Sequence, residues 1–98
     1  MPKANHISGA KSFRDLPNVG PKVDDDLRLL GFTSPAELTG RDAHELHAEL
    51  EKRSGVRQDP CMLDVFLAIV DFANGGPPRA WWEFTEQRKL EVAKRERR

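Results

Sequence analysis

Leu16-Pro17-Asn18-Val19-Gly20-Pro21-Lys22 is the stretch that decides how this 98-residue chain folds. Pro17 stops any helix that precedes it. Pro21 suits the first position of a helix that follows, where its missing N–H costs nothing because that position is unpaired anyway. Between them Gly20 can take a positive φ, Asn18 tolerates one better than most residues, and Val19 can plug the gap between the flanking helices. The expected outcome is a tight corner with its main-chain donors facing outward. The free N–H groups of Gly20, Lys22 and Val23 then gather at a helix N-terminus, whose partial positive charge suits an anion such as phosphate, and Lys22 adds a mobile charge beside them.

Outward from this corner, start and stop signals divide the chain into helical pieces. Ser12 with Asp15 reads as a capping pair that opens a short helix with Phe13 and Leu16 on one face. After Pro21, the residues Val23, Leu27 and Leu30 form a buried stripe, Gly31 supplies a left-handed end, and Phe32 folds back onto Leu27. Ser34-Pro35-Ala36-Glu37 repeats the grammar of cap, proline and returning glutamate. Thr39-Gly40-Arg41 is a tight joint, and Asp42 with Glu45 caps a fourth piece that buries Ala43, Leu46 and Leu50 before Gly55 closes it. The second half thus mirrors the first, although its turn keeps only Gly40.

Asp59-Pro60 opens a fifth helix over residues 60–74, charged only at Asp64 and Asp71. It is expected to be the central post of the fold, since leaving Leu63, Phe66, Leu67, Val70 and Phe72 in water forfeits roughly 1.5–3 kcal/mol for each large side chain. Asn74-Gly75-Gly76-Pro77-Pro78 stops it. Trp81, Trp82 and Phe84 follow, then a charged segment, capped by Thr85, whose few apolar residues suggest a fraying helix. No alternating β-branched run argues for a strand. The expected fold is all-α: a compact five-helix domain over residues 12–84, a flexible arm over 1–11, and a charged C-terminal helix or tail over 85–98.

Sixteen Lys and Arg balance sixteen Asp and Glu, which is not the basic excess of a protein that coats DNA by charge alone. The single cysteine cannot staple the fold and fits a reducing cytoplasm. Met1 to Lys11 lacks the apolar run of a secretory signal, and Cys61 to Ala73 is shorter than a bilayer span, so neither export nor a membrane partner is expected.

The corner from Leu16 to Lys22 resembles the helix-hairpin-helix motif of DNA-repair and DNA-processing proteins. The resemblance implies binding of backbone phosphate without sequence reading, often beside a monovalent cation held by hairpin carbonyls. More of the chain, roughly residues 12 to 90, resembles the small bacterial pathogenicity-locus family. This likeness rests on Leu16 to Phe32, Leu38-Thr39-Gly40-Arg41-Asp42, Asp59-Pro60-Cys61, Val70-Asp71-Phe72-Ala73 and Trp81-Trp82. Some members of that family are labelled mitomycin-resistance proteins, and membership implies a helix-hairpin-helix or SAM-like domain. Two positions depart from the general motif: Asn18 replaces the usual first glycine, and Asp24 replaces an alanine. Asp24, Asp25 and Asp26 are read as solvated carboxylates that compensate the helix dipole and oppose DNA. With about three phosphate contacts the salt slope is about −2.7, and binding falls in the weak, non-specific range of roughly 10⁻⁴ to 10⁻⁶ M.

The expected phosphate site is therefore Asn18, Val19, Gly20, Lys22 and Val23, with flanking charge from Lys11, Arg14 and Arg28. DNA is the expected partner, and a SAM-like module that binds another protein or itself is the alternative. Lys22 also sits where some glycosylases keep a Schiff-base lysine, but a lyase needs a desolvating pocket and a second domain, so no enzyme activity is expected. His44 and His47, three apart, miss the four-residue spacing of the zinc-protease pattern and are read as a solvated or half-buried pair, with no metal and no cofactor beyond the hairpin cation. Cys61 is expected to be buried and structural. Trp81 and Trp82 are expected to clamp the C-terminal segment onto the core, the alternative being that they stack on bases or on a partner. The six basic residues between Arg88 and Arg98, against two glutamates, either widen the phosphate footprint or solubilise the tail.

Overall fold

The computed structural model describes residues 3–96, and Arg97 and Arg98 of the basic tail lie outside them. Among the described residues there are four α-helices and four 3-10 turns, with no strand. Helix α1 is Pro21–Leu29, α2 is Ala43–Ser54, α3 is Pro60–Ala73 and α4 is Thr85–Glu96; the 3-10 turns are Ile7–Gly9, Phe13–Asp15, Pro35–Leu38 and Trp81–Phe84. The all-α class therefore stands, but the five-helix count does not. The pieces around Phe13 and Pro35 span three and four residues, one turn each, because a proline two residues after Asp15 and a glycine two residues after Leu38 leave no room for a second turn.

The local signals act as their chemistry dictates. The Asp15 carboxylate accepts from the Ser12 and Lys11 main-chain N–H groups, and Glu37 accepts from those of Ser34 and Thr33. Asp42 accepts from the N–H groups of His44 and Glu45, satisfying two orphan donors at the head of α2. Gly31 at φ 94° ends α1 and returns the Phe32 N–H to the Leu27 carbonyl, while Gly55 at φ 70° ends α2.

Phe66, Ile69 and Phe72 of α3 lie at the centre of one core with Leu16, Leu27, Leu38 and Leu50. Helix α3 packs directly against α2, α4 and the Pro35–Leu38 and Trp81–Phe84 turns. It is the central post for these elements, whereas α1 leans chiefly on α2 and the Phe13–Asp15 turn. Helix α4 is not merely a solvated tail. Asp64 of α3 is 0 % exposed, and its carboxylate accepts from Arg88 Nε at 2.8 Å and from the Thr85 hydroxyl at 2.8 Å. Thr85 thus spends its hydroxyl on Asp64 rather than on capping the helix.

Candidate functional site

The joints that precede α1 and α2 share a backbone signature. Asn18 stands at φ 70° ahead of α1, as Gly40 stands at φ 76° ahead of α2. At the first joint the left-handed residue is Asn18, not Gly20, whose φ of −106° is open to any residue. Asn18 thus takes the conformational part that a glycine would play, and it adds a side chain. Its Oδ1 accepts from the Trp81 N–H at 3.0 Å and its Nδ2 donates to the Arg79 carbonyl at 2.8 Å, tying the corner to a segment some sixty residues away.

Val19 is buried, plugging the corner as its position suggested, and Val23 also turns its side chain inward. Gly20 and Lys22 face solvent. Among the described residues, the main-chain N–H groups of Gly20, Lys22 and Val23 meet no protein acceptor, and a Cβ built on Gly20 would meet nothing within 4 Å. Three main-chain donors without a protein acceptor therefore lie at the head of a nine-residue helix, two of them on residues that face solvent. The reverse side of the corner is occupied: the Lys3 ammonium donates to the main-chain carbonyls of Val19 and Arg14.

The charges are organised differently from the expected solvated cluster. Asp24 is buried, and its carboxylate accepts from Arg14 Nε at 3.1 Å and Arg28 Nε at 2.9 Å. Burial pushes this carboxyl up, but the two guanidinium hydrogen bonds overcome it and leave the pKa below the usual carboxylate value. Arg14 and Arg28 are thereby fixed beside α1 as two cations sharing one anion. Arg28 also lies over the Phe13 ring, 5.4 Å from its centroid. Lys22 is 69 % exposed, yet its Nζ lies 2.8 Å from Asp26 and 3.4 Å from the Gln58 side-chain oxygen. Lys11 is exposed and has its main-chain N–H on Asp15.

The remaining candidates are placed as follows. His44 Nε2 lies 2.7 Å from Glu91, and His47 Nε2 lies 3.3 Å from the Asp59 carbonyl oxygen. These imidazoles fasten α2 to neighbouring elements, and among the described residues no group of three or more His, Cys, Asp or Glu could hold a metal ion. Cys61 is exposed, not buried, because the inward face of α3's first turns is taken by Met62 and Leu63. Phe84 is buried and clamps the C-terminal segment, with Trp81 half-buried beside it. Trp82 does not share that task, since it is 64 % exposed. Among the described residues no helix is long and apolar enough to cross a membrane.

The model of the pathogenicity-locus family, Cdd1, matches residues 6–90, so the chain belongs to that family. It is also similar to the mitomycin resistance protein McrB of Streptomyces lavendulae, with 39% identity over 86 residues that cover 88% of this chain and 82% of the relative. No solved structure matches it.

The sequence signals missed three constraints, the Asn18 bridge to Arg79 and Trp81, the pairing of Asp24 with Arg14, and the seat of Asp64. For Asp64 a signal existed: one carboxylate among apolar neighbours requires a cationic partner, and Arg88 was the first arginine of the tail.

Proposed function

We propose that this chain is a non-sequence-specific DNA-binding module of helix-hairpin-helix or SAM-like build, working in the cytoplasm and catalysing no reaction of its own. Backbone phosphate sits on the N–H groups of Gly20, Lys22 and Val23, with Lys22 closing over it. The observation that carries this reading is that those three donors, at the head of α1, have no protein acceptor among the described residues. A helix N-terminus with free amides attracts a phosphate through both its hydrogen bonds and its dipole. Arg14 and Arg28, held by Asp24, and Lys11 contribute the weaker surrounding charge.

A binding role also suits Lys22 better than Schiff-base chemistry. An amine that is 69 % exposed and paired with Asp26 lies in no desolvating pocket of the kind such chemistry needs. The carbonyls of Val19 and Arg14 already carry the Lys3 ammonium, so the hairpin draws its positive charge from the chain itself. The relative's name connects it with mitomycin resistance, and a protein that holds DNA backbone is compatible with such a role. The exposed, lone Cys61 suits a reducing compartment.

Titrating labelled duplex DNA at two salt concentrations tests the proposal. Salt-sensitive binding that Lys22→Glu weakens supports it. Self-association without any salt-dependent DNA binding overturns it in favour of a SAM-like protein-interaction module.

A further inference from the structure

The exposed Trp82 directly follows a segment tied to the hairpin corner. Asn18, two residues before Gly20, holds the Arg79 carbonyl and the Trp81 N–H, so the segment that carries Trp82 cannot move independently of the amide cluster. The Trp82 ring stands edge-on to Trp81, with centroids 5.7 Å apart and planes at 84°. Trp81 is half-buried, and Trp82 keeps 64 % of its surface in water. A shallow cleft of about 320 Å³ runs between Pro17 and Asn18 of the corner and the segment 78–80 that leads into the tryptophans. It is lined by Lys3, Pro17, Asn18, Pro78, Arg79 and Ala80, so two cations and two rigid prolines border it. The Arg79 guanidinium lies 4.3 Å from the Phe84 ring centroid, with its Nε 3.7 Å from Glu83.

We propose that Trp82 is a base-stacking platform, and that with the hairpin amides it makes a site for single-stranded DNA rather than for intact duplex. This rests on the phosphate-binding reading above and adds to it the form of the nucleic acid. An exposed aromatic ring can stack on any base, but in a duplex every base face is already covered by its neighbours. The chemistry therefore selects an unpaired nucleotide, at a gap, a frayed end or a free strand. One phosphate of the strand rests on Gly20, Lys22 and Val23, the backbone runs along the cationic cleft, and a base lies on the indole. A protein partner would explain the exposed ring alone. The cleft that continues to the hairpin turn and its cationic lining favour a polyanion.

The test uses the full chain with unlabelled oligothymidylate and a duplex of equal length. In the Trp81→Phe variant Trp82 is the sole tryptophan, and its emission should be quenched saturably by the single strand and little by the duplex. Trp82→Ala should weaken single-strand binding by about five-fold or more, the usual size of one stacked base. Its duplex binding should be unchanged, and Trp82→Phe should restore most of the loss. Circular dichroism of each variant checks that it is folded. If Trp82→Ala binds the single strand as tightly as the parent while Lys22→Glu weakens both ligands, the stacking inference is overturned and the phosphate reading survives. If the parent binds neither ligand, both are overturned.

Discussion

Asn18 and Trp81 are joined by a hydrogen bond of 3.0 Å from the tryptophan N–H to the side-chain oxygen, across sixty-three positions of sequence. The same side chain donates to the Arg79 carbonyl, and the residue holds φ 70°. These two roles can be separated by substitution. Asn18→Gly keeps the left-handed backbone and loses both bonds, an expected cost of about 1–3 kcal/mol. Asn18→Ala loses the bonds and adds the strain of a Cβ at positive φ, at least about another 1 kcal/mol. Urea unfolding followed by tryptophan emission should rank the parent above the glycine variant and that above the alanine variant. Equal stability of the two variants would show that the left-handed backbone contributes nothing here.

A second prediction concerns the ion pair that competes with phosphate. Lys22 Nζ must share or leave Asp26, 2.8 Å away, before it can reach a bound anion. Exposed pairs of this kind are worth about 0.2–1 kcal/mol. Asp26→Asn should release the lysine and remove a repelling charge, giving DNA binding up to about five-fold tighter in low salt. Lys22→Glu should act in the opposite sense and flatten the logarithmic salt dependence by about one. Tighter binding by Lys22→Glu would place the phosphate elsewhere.

What could be read in the sequence was local. Pro21, Gly31, the Ser34 to Glu37 box, Asp42 and Gly55 each satisfy or terminate backbone groups within a few residues, so their spacing alone located the start of α1 and the ends of α2. The unpartnered amides of Gly20, Lys22 and Val23 follow from the same local grammar. The features that escaped are contacts over ten residues or more: Asn18 with Arg79 and Trp81, Asp24 with Arg14, and Asp64 with Arg88. Cys61 was misplaced for a related reason. A helix as apolar as α3 has no clear polar face, so hydrophobic periodicity cannot say which side of its first turn meets water.

The acid limb of stability should depend on Asp24. Its carboxyl is pushed up by burial and pulled down further by Arg28 and Arg14, so the folded pKa lies below the usual value. A lowered folded pKa contributes stability above the unfolded pKa of about 3.9 and loses it as the pH falls through the folded value. Thermal midpoints measured between about pH 7 and pH 2 should hold level at the upper end and drop below about pH 4. Asp24→Asn should lower the neutral-pH midpoint and make the acid drop shallower, because the variant has no such carboxylate to protonate. An unchanged acid limb would mean that the Arg14 and Arg28 bonds do not favour the charged form.

The pair most sensitive to substitution is Asp64 with Arg88. Asp64 is 0 % exposed and Arg88 16 %, so each charge has given up most of its water and relies on the other. The arginine's pKa is raised, first by its hydrogen bond to Asp64, and it stays charged at any working pH. Removing one member leaves an uncompensated buried ion, which typically costs about 3–5 kcal/mol. A domain of this size is stable by only about 5–15 kcal/mol in total. Arg88→Met should therefore unfold far more easily in urea than the parent, with α4 losing its main anchor. The double variant Asp64→Leu, Arg88→Met replaces both charges by apolar groups of similar bulk and should recover much of that loss, although the Thr85 hydroxyl then loses its acceptor. If the double variant is less stable than Arg88→Met alone by the full cost of a second independent substitution, the two residues are not coupled, and α4 is held by Val92 and the His44–Glu91 contact instead.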